Sequence, residues 1–156
     1  MSQDFEPICT VCVYGACGVG KTTLIHQYVR NFLPEDPSTV DTMGVYKIYE
    51  KDGFPIQIQD YPSRRRPISS MVLRYEALRR RTAFIFIYSV GDIDSVEFLR
   101  EEVQAAKRYG IPSIIVGNKS DLGIPQPPLV GKALAMEFGF PFRDIGSHRS
   151  KCVIFL

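Results

Sequence analysis

The sequence predicts a three-layer α/β/α domain of about six strands, mostly parallel with one antiparallel edge pair, and helices on both faces of the sheet. Three observations carry that expectation. Short apolar runs alternate with segments of helical periodicity along the chain. One run, Ala83–Val90 (Ala-Phe-Ile-Phe-Ile-Tyr-Ser-Val), has the near-continuous apolarity of a central strand covered on both faces. Asp52-Gly53 lies between two strand-like segments and marks a hairpin, hence the antiparallel pair. A chain of 156 residues suits a single domain, residues 1–156, around one core.

The elements follow in order. Ile8–Tyr14 is an apolar, β-rich run and reads as a buried strand. Leu24, Ile25, Tyr28, Val29 and Phe32 then recur at helical steps. Leu33–Thr39 holds Pro, Asp and Ser and is a loop. Val45–Glu50 and Phe54–Asp60 are the hairpin strands around Lys51-Asp52-Gly53. Tyr61–Ile68, with two prolines and three arginines, is a mobile loop, and Ser69–Arg80 a helix. Asp94 or Ser95 is positioned to cap a helix that runs to about Tyr109 and stops at Gly110. Pro112–Gly117 is a buried strand, Leu129–Phe138 a helix ended by Gly139, and Pro141–Ile145 a short last strand. Neither internal repeats nor low-complexity segments occur.

Composition excludes several classes. Apolar residues at 45% and charged residues at 23% are ordinary for a soluble globular protein. A net charge of +2 gives no case for a nucleic-acid partner, and none is expected. Arg64–Arg66 and Arg79–Arg81 are local basic runs that read as solvated faces, with an acidic partner or an anionic lipid surface as the alternative. No run approaches the ~20 apolar residues of a membrane span. The start, Met1–Glu6, is acidic and lacks the basic-then-apolar order of a signal peptide, so a cytoplasmic setting is expected. Cys9 and Cys12 have C-x-x-C spacing, but on a strand that odd interval sends them to opposite faces, which argues against a metal or redox pair.

The first chemical signal is Gly15-Ala16-Cys17-Gly18-Val19-Gly20-Lys21-Thr22-Thr23, a match to the phosphate-binding loop G-x-x-x-x-G-K-[ST]. Gly15 and Gly20 bracket a turn whose backbone N–H groups must curl around a phosphate. Lys21 supplies a compact positive charge for the β- and γ-phosphates. Thr22 offers a hydroxyl to Mg²⁺, which prefers oxygen ligands. The strand before and the helix after supply the context the motif needs, because a helix N-terminus favours anions. At that terminus a Cys17 thiolate would gain stability, but bound phosphates oppose its charge, so an inert thiol is expected.

The second signal is Asn118-Lys119-Ser120-Asp121, about one hundred residues on and at the end of a strand. In an open α/β sheet the loops beyond the carboxyl ends of the strands form the ligand crevice, so this loop and the phosphate loop share one edge. The Asp121 carboxylate only accepts hydrogen bonds. It matches the adjacent N1–H and N2–H₂ donors of guanine and repels the acceptor N1 of adenine. Asn118 can bridge the loops and reach the acceptor side of the base. The Lys119 stem can cover the base face while its ammonium stays solvated.

With these residues in place, Ile8 to Ile145 resembles a Ras-type small GTPase. The anchors are Gly15–Thr22, Asp60 and Asn118–Asp121. The resemblance implies a P-loop NTPase domain that binds GTP and GDP with Mg²⁺ and acts as a monomeric switch in signalling, meeting effector and exchange-factor proteins through two mobile loops. It implies that Asp60 holds the Mg²⁺ shell through water. Ser38, Thr39 or Thr42 would be the switch threonine; family spacing from Lys21 lands on Val40, so a one-residue shift is needed to reach Thr39. Phe32 is the candidate aromatic near the base, and Gly146-Ser147-His148 the nearest counterpart of the family's last base-binding turn.

Three departures follow. Asp60-Tyr61-Pro62-Ser63-Arg64 stands where the family has Asp-x-x-Gly-Gln. Ser63 takes the place of the glycine that meets the γ-phosphate, and Pro62 has no N–H to give. Arg64 takes the place of the glutamine that orients water, and it has donors only. Cys17 crowds the space used by that glutamine and by an incoming arginine finger. Hydrolysis is therefore expected to be slow, unless Arg64 itself serves as a built-in finger. Last, the family's final long helix has no counterpart in Arg149–Leu156, so the sheet face it covers is expected to be partly exposed, with Val153–Leu156 as a candidate cover. Cys152 is fifth from the end and does not make a prenylation box, which leaves only peripheral association with the inner face of the plasma membrane. A nucleotide-binding pseudo-GTPase scaffold is the second reading. A P-loop kinase or ATPase is the third, and it leaves Asn118–Asp121 unexplained.

Overall fold

The computed structural model describes residues 9–32, 45–49, 55–61, 82–122 and 129–146. The elements are β1 (Cys9–Tyr14), α1 (Lys21–Phe32), β2 (Val45–Tyr49), β3 (Pro55–Asp60), β4 (Thr82–Ser89), α2 (Ile93–Glu97), α3 (Arg100–Arg108), β5 (Ser113–Asn118), a 3₁₀ turn (Ser120–Leu122), α4 (Leu129–Phe138) and β6 (Phe142–Asp144). The strands form one six-stranded sheet in the order β2-β3-β1-β4-β5-β6. Only the β2–β3 pair is antiparallel, Val45 opposite Gln59 and Tyr49 opposite Pro55. The antiparallel edge pair is thus as expected; the hairpin turn at Lys51–Gly53, the loop after Tyr61 and the helix at Ser69–Arg80 lie outside the described residues.

Strand alternation divides the core in two. Val11, Val13, Ile58, Ile85, Ile87 and Val116 point to one face and pack with Leu24 and Ile25 of α1. Cys12, Tyr14, Phe84, Phe86, Tyr88 and Ile115 point to the other and pack with Val96, Leu99, Val103, Ala106, Leu134 and Ala135 of α2, α3 and α4. Helices therefore cover both faces, and the central strands are apolar on both sides through their middles, as in Val11–Tyr14, Ala83–Tyr88 and Ile114–Val116, for that reason. Cys12 belongs to one cluster and Cys9 packs against the other, as the odd spacing requires. On the α1 face an apolar groove is lined by Val11, Val13, Leu24, Ile25, Tyr28, Ile56, Ile58 and Ile85. Val153–Leu156, the candidate cover for a partly exposed sheet face, lies outside the described residues.

The helix expected from Asp94 or Ser95 to Tyr109 is two helices, and its cap is Asp92. The Asp92 Oδ1 accepts from the Ser95 N–H at 3.3 Å, the usual reach from an N-cap to the third helical residue. Ser95 cannot cap, because its hydroxyl donates to the Asp92 carbonyl at 2.6 Å and its side chain is buried. Between α2 and α3 the turn tightens: the Leu99 N–H reaches the Val96 carbonyl three residues back, at 3.0 Å. A 3₁₀ step aligns residues i and i+3, which brings Val96 and Leu99 together onto the sheet. The other stops are as expected, Gly110 and Gly139 ending α3 and α4 at φ +66 and +70.

Gly131 shows how α4 docks. A Cβ there would lie 2.2 Å from the Tyr88 ring. Gly131→Ala is expected to force the ring and helix apart and lower stability by about 1–3 kcal/mol in denaturant unfolding.

Candidate nucleotide site

The order of strands sets the site. From β1 the chain moves to β3 and β2 on one side and to β4, β5 and β6 on the other, so β1 stands at the reversal. In such sheets ligands bind outside the carboxyl ends of the strands at that point. β1 ends at Tyr14, β3 at Asp60 and β5 at Asn118, all on one edge, because Val13 pairs with Asp60 and Ser89 with Asn118.

The phosphate loop leaves β1 at Gly15 and enters α1 at Lys21. Gly15 has to be glycine, since a Cβ would sit 2.2 Å from the Ile87 carbonyl oxygen. Lys21 is 8% exposed, and its ammonium donates to the carbonyls of Gly15 at 2.8 Å and Ala16 at 2.9 Å. Burial pulls the Lys21 pKa down, while Asp60 and Cys17 act in the opposite direction. Among the described residues this buried ammonium donates only to its own loop's carbonyls, which leaves it poised to meet an anion. Cys17 and Gly18 are exposed, and a Cβ on Gly18 would meet nothing within 4 Å, so that stretch of the loop is open to a ligand.

Thr22 and Asp60 meet directly, the Thr22 hydroxyl donating to Asp60 Oδ2 at 2.5 Å. Two hard oxygen donors side by side at the head of α1 fit an octahedral Mg²⁺.

The second loop is tied to the first. Asn118 is 5% exposed, and its Nδ2 donates to the Val19 carbonyl at 2.9 Å. The approach needs Gly20, where a Cβ would stand 2.4 Å from that nitrogen. Lys119 sits at φ 64 and its ammonium donates to the Gly18 carbonyl at 2.6 Å. The left-handed turn aims the side chain back over the phosphate loop, and the hydrogen bond lies at the exposed surface, where the ammonium keeps donors for solvent. The Asn118–Asp121 loop is fixed on its other side by residues 145 and 146. The Ile145 N–H reaches the Gly117 carbonyl at 2.8 Å, and the Ser120 N–H the Ile145 carbonyl at 3.3 Å. A Cβ on Gly146 would lie 3.2 Å from Asp121 Cβ, so the turn after β6 runs beside Asp121.

The structure therefore brings together Gly15–Thr23, Asp60, Asn118, Lys119 and Asp121. Residues 145 and 146, and the carbonyls of Gly18 and Val19, were not singled out from sequence as loop-to-loop contacts; backbone acceptors leave no mark in a sequence. Thr39, Ser63, Arg64, Ser147 and His148, with Ser38, Val40, Thr42 and Pro62, lie outside the described residues. So do the Arg64–Arg66 and Arg79–Arg81 runs.

Residues 10–154 match the Ras family over nearly the whole chain. The chain belongs to the Ras family. Three curated relatives show the same likeness. The Ras-like protein rasC of Dictyostelium discoideum is 29% identical over 141 residues, 85% of this chain and 73% of the relative. The Ras-like protein rasZ of the same organism is 26% identical over 145 residues, 88% of this chain and 66% of the relative. The Ras-like protein family member 12 of Danio rerio is 27% identical over 156 residues, 94% of this chain and 58% of the relative. The chain thus spans between half and three quarters of the length of these Ras-like proteins. Ras family membership accounts for the mostly parallel sheet and for both loops. Among the described residues no helix is long and apolar enough to cross a membrane, and no cluster of three or more His, Cys, Asp or Glu could hold a metal. A Mg²⁺ site built from one hydroxyl, one carboxylate and phosphate oxygens needs no such cluster.

Proposed function

We propose that this Ras family protein binds GTP and GDP with Mg²⁺ and acts as a nucleotide-dependent switch whose hydrolysis is slow. The observation that carries the binding reading is the direct tie between the loops, Asn118 to Val19 and Lys119 to Gly18. A diphosphate on the loop N–H groups and Lys21 then puts the attached base beside Asp121, whose carboxylate takes the N1–H and N2–H₂ of guanine. Lys21 neutralises phosphate charge at the loop. Thr22 and Asp60 would hold Mg²⁺, which supplies charge neutralisation at the β- and γ-phosphates when bound.

The slow-hydrolysis reading rests on residue types. Cys17 stands in the loop with an exposed side chain, and Arg64 offers donors where an acceptor would orient water. Single-turnover GTP hydrolysis by purified protein tests it. The expected rate is far below that of a stimulated GTPase, with little gain from an added arginine finger, which is ordinarily worth roughly 10³–10⁵. A fast rate would contradict the reading. If Arg64 is a built-in finger, Arg64→Gln slows the reaction instead of speeding it. Effector and exchange-factor proteins would meet the chain through the loops around Thr39 and Arg64, as a monomer at the cytoplasmic face of membranes.

A scaffold that binds nucleotide without switching is the second reading, favoured by Ser63 at a position that needs a backbone free of a side chain. The Thr22–Asp60 contact favours the switch, since it keeps a Mg²⁺-competent pair intact.

A further inference from the structure

Among the described residues the two faces of the sheet are covered unequally. Helices α2, α3 and α4 pack on one face and α1 alone on the other. The apolar groove beside α1 takes in Leu24 and Tyr28 of the helix, Val11 of β1, Ile58 of β3 and Ile85 of β4. It holds about 440 Å³ unfilled by atoms, its mouth included. A single helical turn with its side chains fills roughly 420–610 Å³, so the space suits a few side chains rather than a long helix. Apart from the Tyr28 hydroxyl, no side chain lining it carries a polar atom. An occupant is therefore held by burial of apolar surface. Val11 and Ile58 are buried, while Tyr28 and Ile56, which also line the groove, are half-buried.

The course of the chain after β6 selects the occupant. Ile145 packs with the α1-face cluster, as Ile114 of β5 does, so the last described turn leads onto this side of the sheet. The β4–β5 and β5–β6 connections carry their helices over the other face, as right-handed crossovers moving that way do, and the β3–β4 connection moves in the same direction. Residues 147–156 lie outside the described residues. In sequence, Ser147–Lys151 is polar and Cys152-Val153-Ile154-Phe155-Leu156 is wholly apolar. The stretch before β1 is a poorer match, since Ser2–Glu6 is polar and acidic apart from Phe5. Seven steps separate Ile145 from Cys152, a reach of up to about 23–25 Å. From β6 to β1 is three strand spacings, about 14 Å, and β3 lies one further, at about 19 Å.

We propose that Cys152–Leu156 folds back over the α1 face and seats its apolar side chains in this groove, with Ser147–Lys151 crossing the solvent side. The seated segment closes the core around α1, the helix whose first turn carries Lys21 and Thr22. Its removal exposes apolar surface and costs stability.

Methyl NMR on the full chain tests the contact directly. Cross-relaxation peaks are expected from Val153 and Ile154 to Ile56 and Ile58. The double variant Ile154→Asp/Phe155→Asp should lose them, bind the dye ANS several-fold more strongly, and melt roughly 5–15 °C lower. Ser150→Asp, in the polar stretch, should match the parent. Should the double variant fail to fold, a cycle of Ile56→Ala and Phe155→Ala decides. Combined losses that fall short of the sum support the contact, and additive losses contradict it. Peaks from Ile56 to a segment other than 152–156, peaks that arise only between labelled and unlabelled copies, or an unchanged melt and dye signal in the double variant would overturn the proposal. Bound nucleotide enters none of these outcomes, so a failure of the nucleotide reading leaves them intact.

Discussion

Asp121→Asn is expected to lower the affinity for GDP and GTP by roughly 10²-fold or more. The reason is donor and acceptor arithmetic. Guanine offers donors at N1 and N2, and the carboxylate offers two acceptor oxygens. The amide keeps one oxygen and turns a second donor toward the base. Each hydrogen bond to a charged group is worth about 1.5–3 kcal/mol, and about 1.4 kcal/mol is tenfold. The loop itself should survive, because Asn118 and Lys119 hold it to Val19 and Gly18 and the Ile145 N–H holds the Gly117 carbonyl. The melting temperature without nucleotide should therefore stay close to that of the parent, while calorimetric titration shows the loss. Equal losses of GDP and ATP affinity would mean that Asp121 does not read the base.

Gly20→Ala should harm both binding and stability. Gly20 sits at φ +100, which an L side chain rarely adopts, and its Cβ would lie 2.4 Å from Asn118 Nδ2. Strain of about 1–2 kcal/mol adds to the loss of a buried hydrogen bond, about 1–3 kcal/mol. A combined cost of about 2–5 kcal/mol should appear as a lower unfolding midpoint and a weaker grip on GDP. Gly18→Ala is the control: it shares a positive φ, but its Cβ meets nothing, so it should carry strain without breaking the loop tie.

Much of this was legible in the residues themselves. The central strands announce burial on both faces, because Phe84 to Tyr88 has no polar side to show the solvent. The helix Leu129–Phe138 is bounded as expected because Gly139 can take the left-handed turn and few residues can. The phosphate loop and the Asn118–Asp121 loop were legible because their chemistry demands particular side chains at fixed spacing. What escaped lies where backbone or tertiary packing decides. Asp92 displaced Asp94 and Ser95 as a cap because Ser95 is drawn inward, its hydroxyl held by the Asp92 carbonyl. The division between α2 and α3 follows from seating Val96 and Leu99 together on the sheet, a requirement no periodicity count contains. The return of Lys119 to the Gly18 carbonyl depends on a positive φ that lysine seldom takes. The Tyr14–Glu102 contact joins residues separated by 88 positions, and nothing in either neighbourhood of sequence marks it.

The central claim is that two loops about a hundred positions apart serve one guanine nucleotide. Titration of the purified chain with fluorescent GDP, GTP and ATP in Mg²⁺ tests it most directly. Tight, saturable binding of GDP and GTP is predicted, with ATP weaker by roughly 10²-fold or more. Binding of ATP as tightly as GTP, or binding of none of the three, would contradict it.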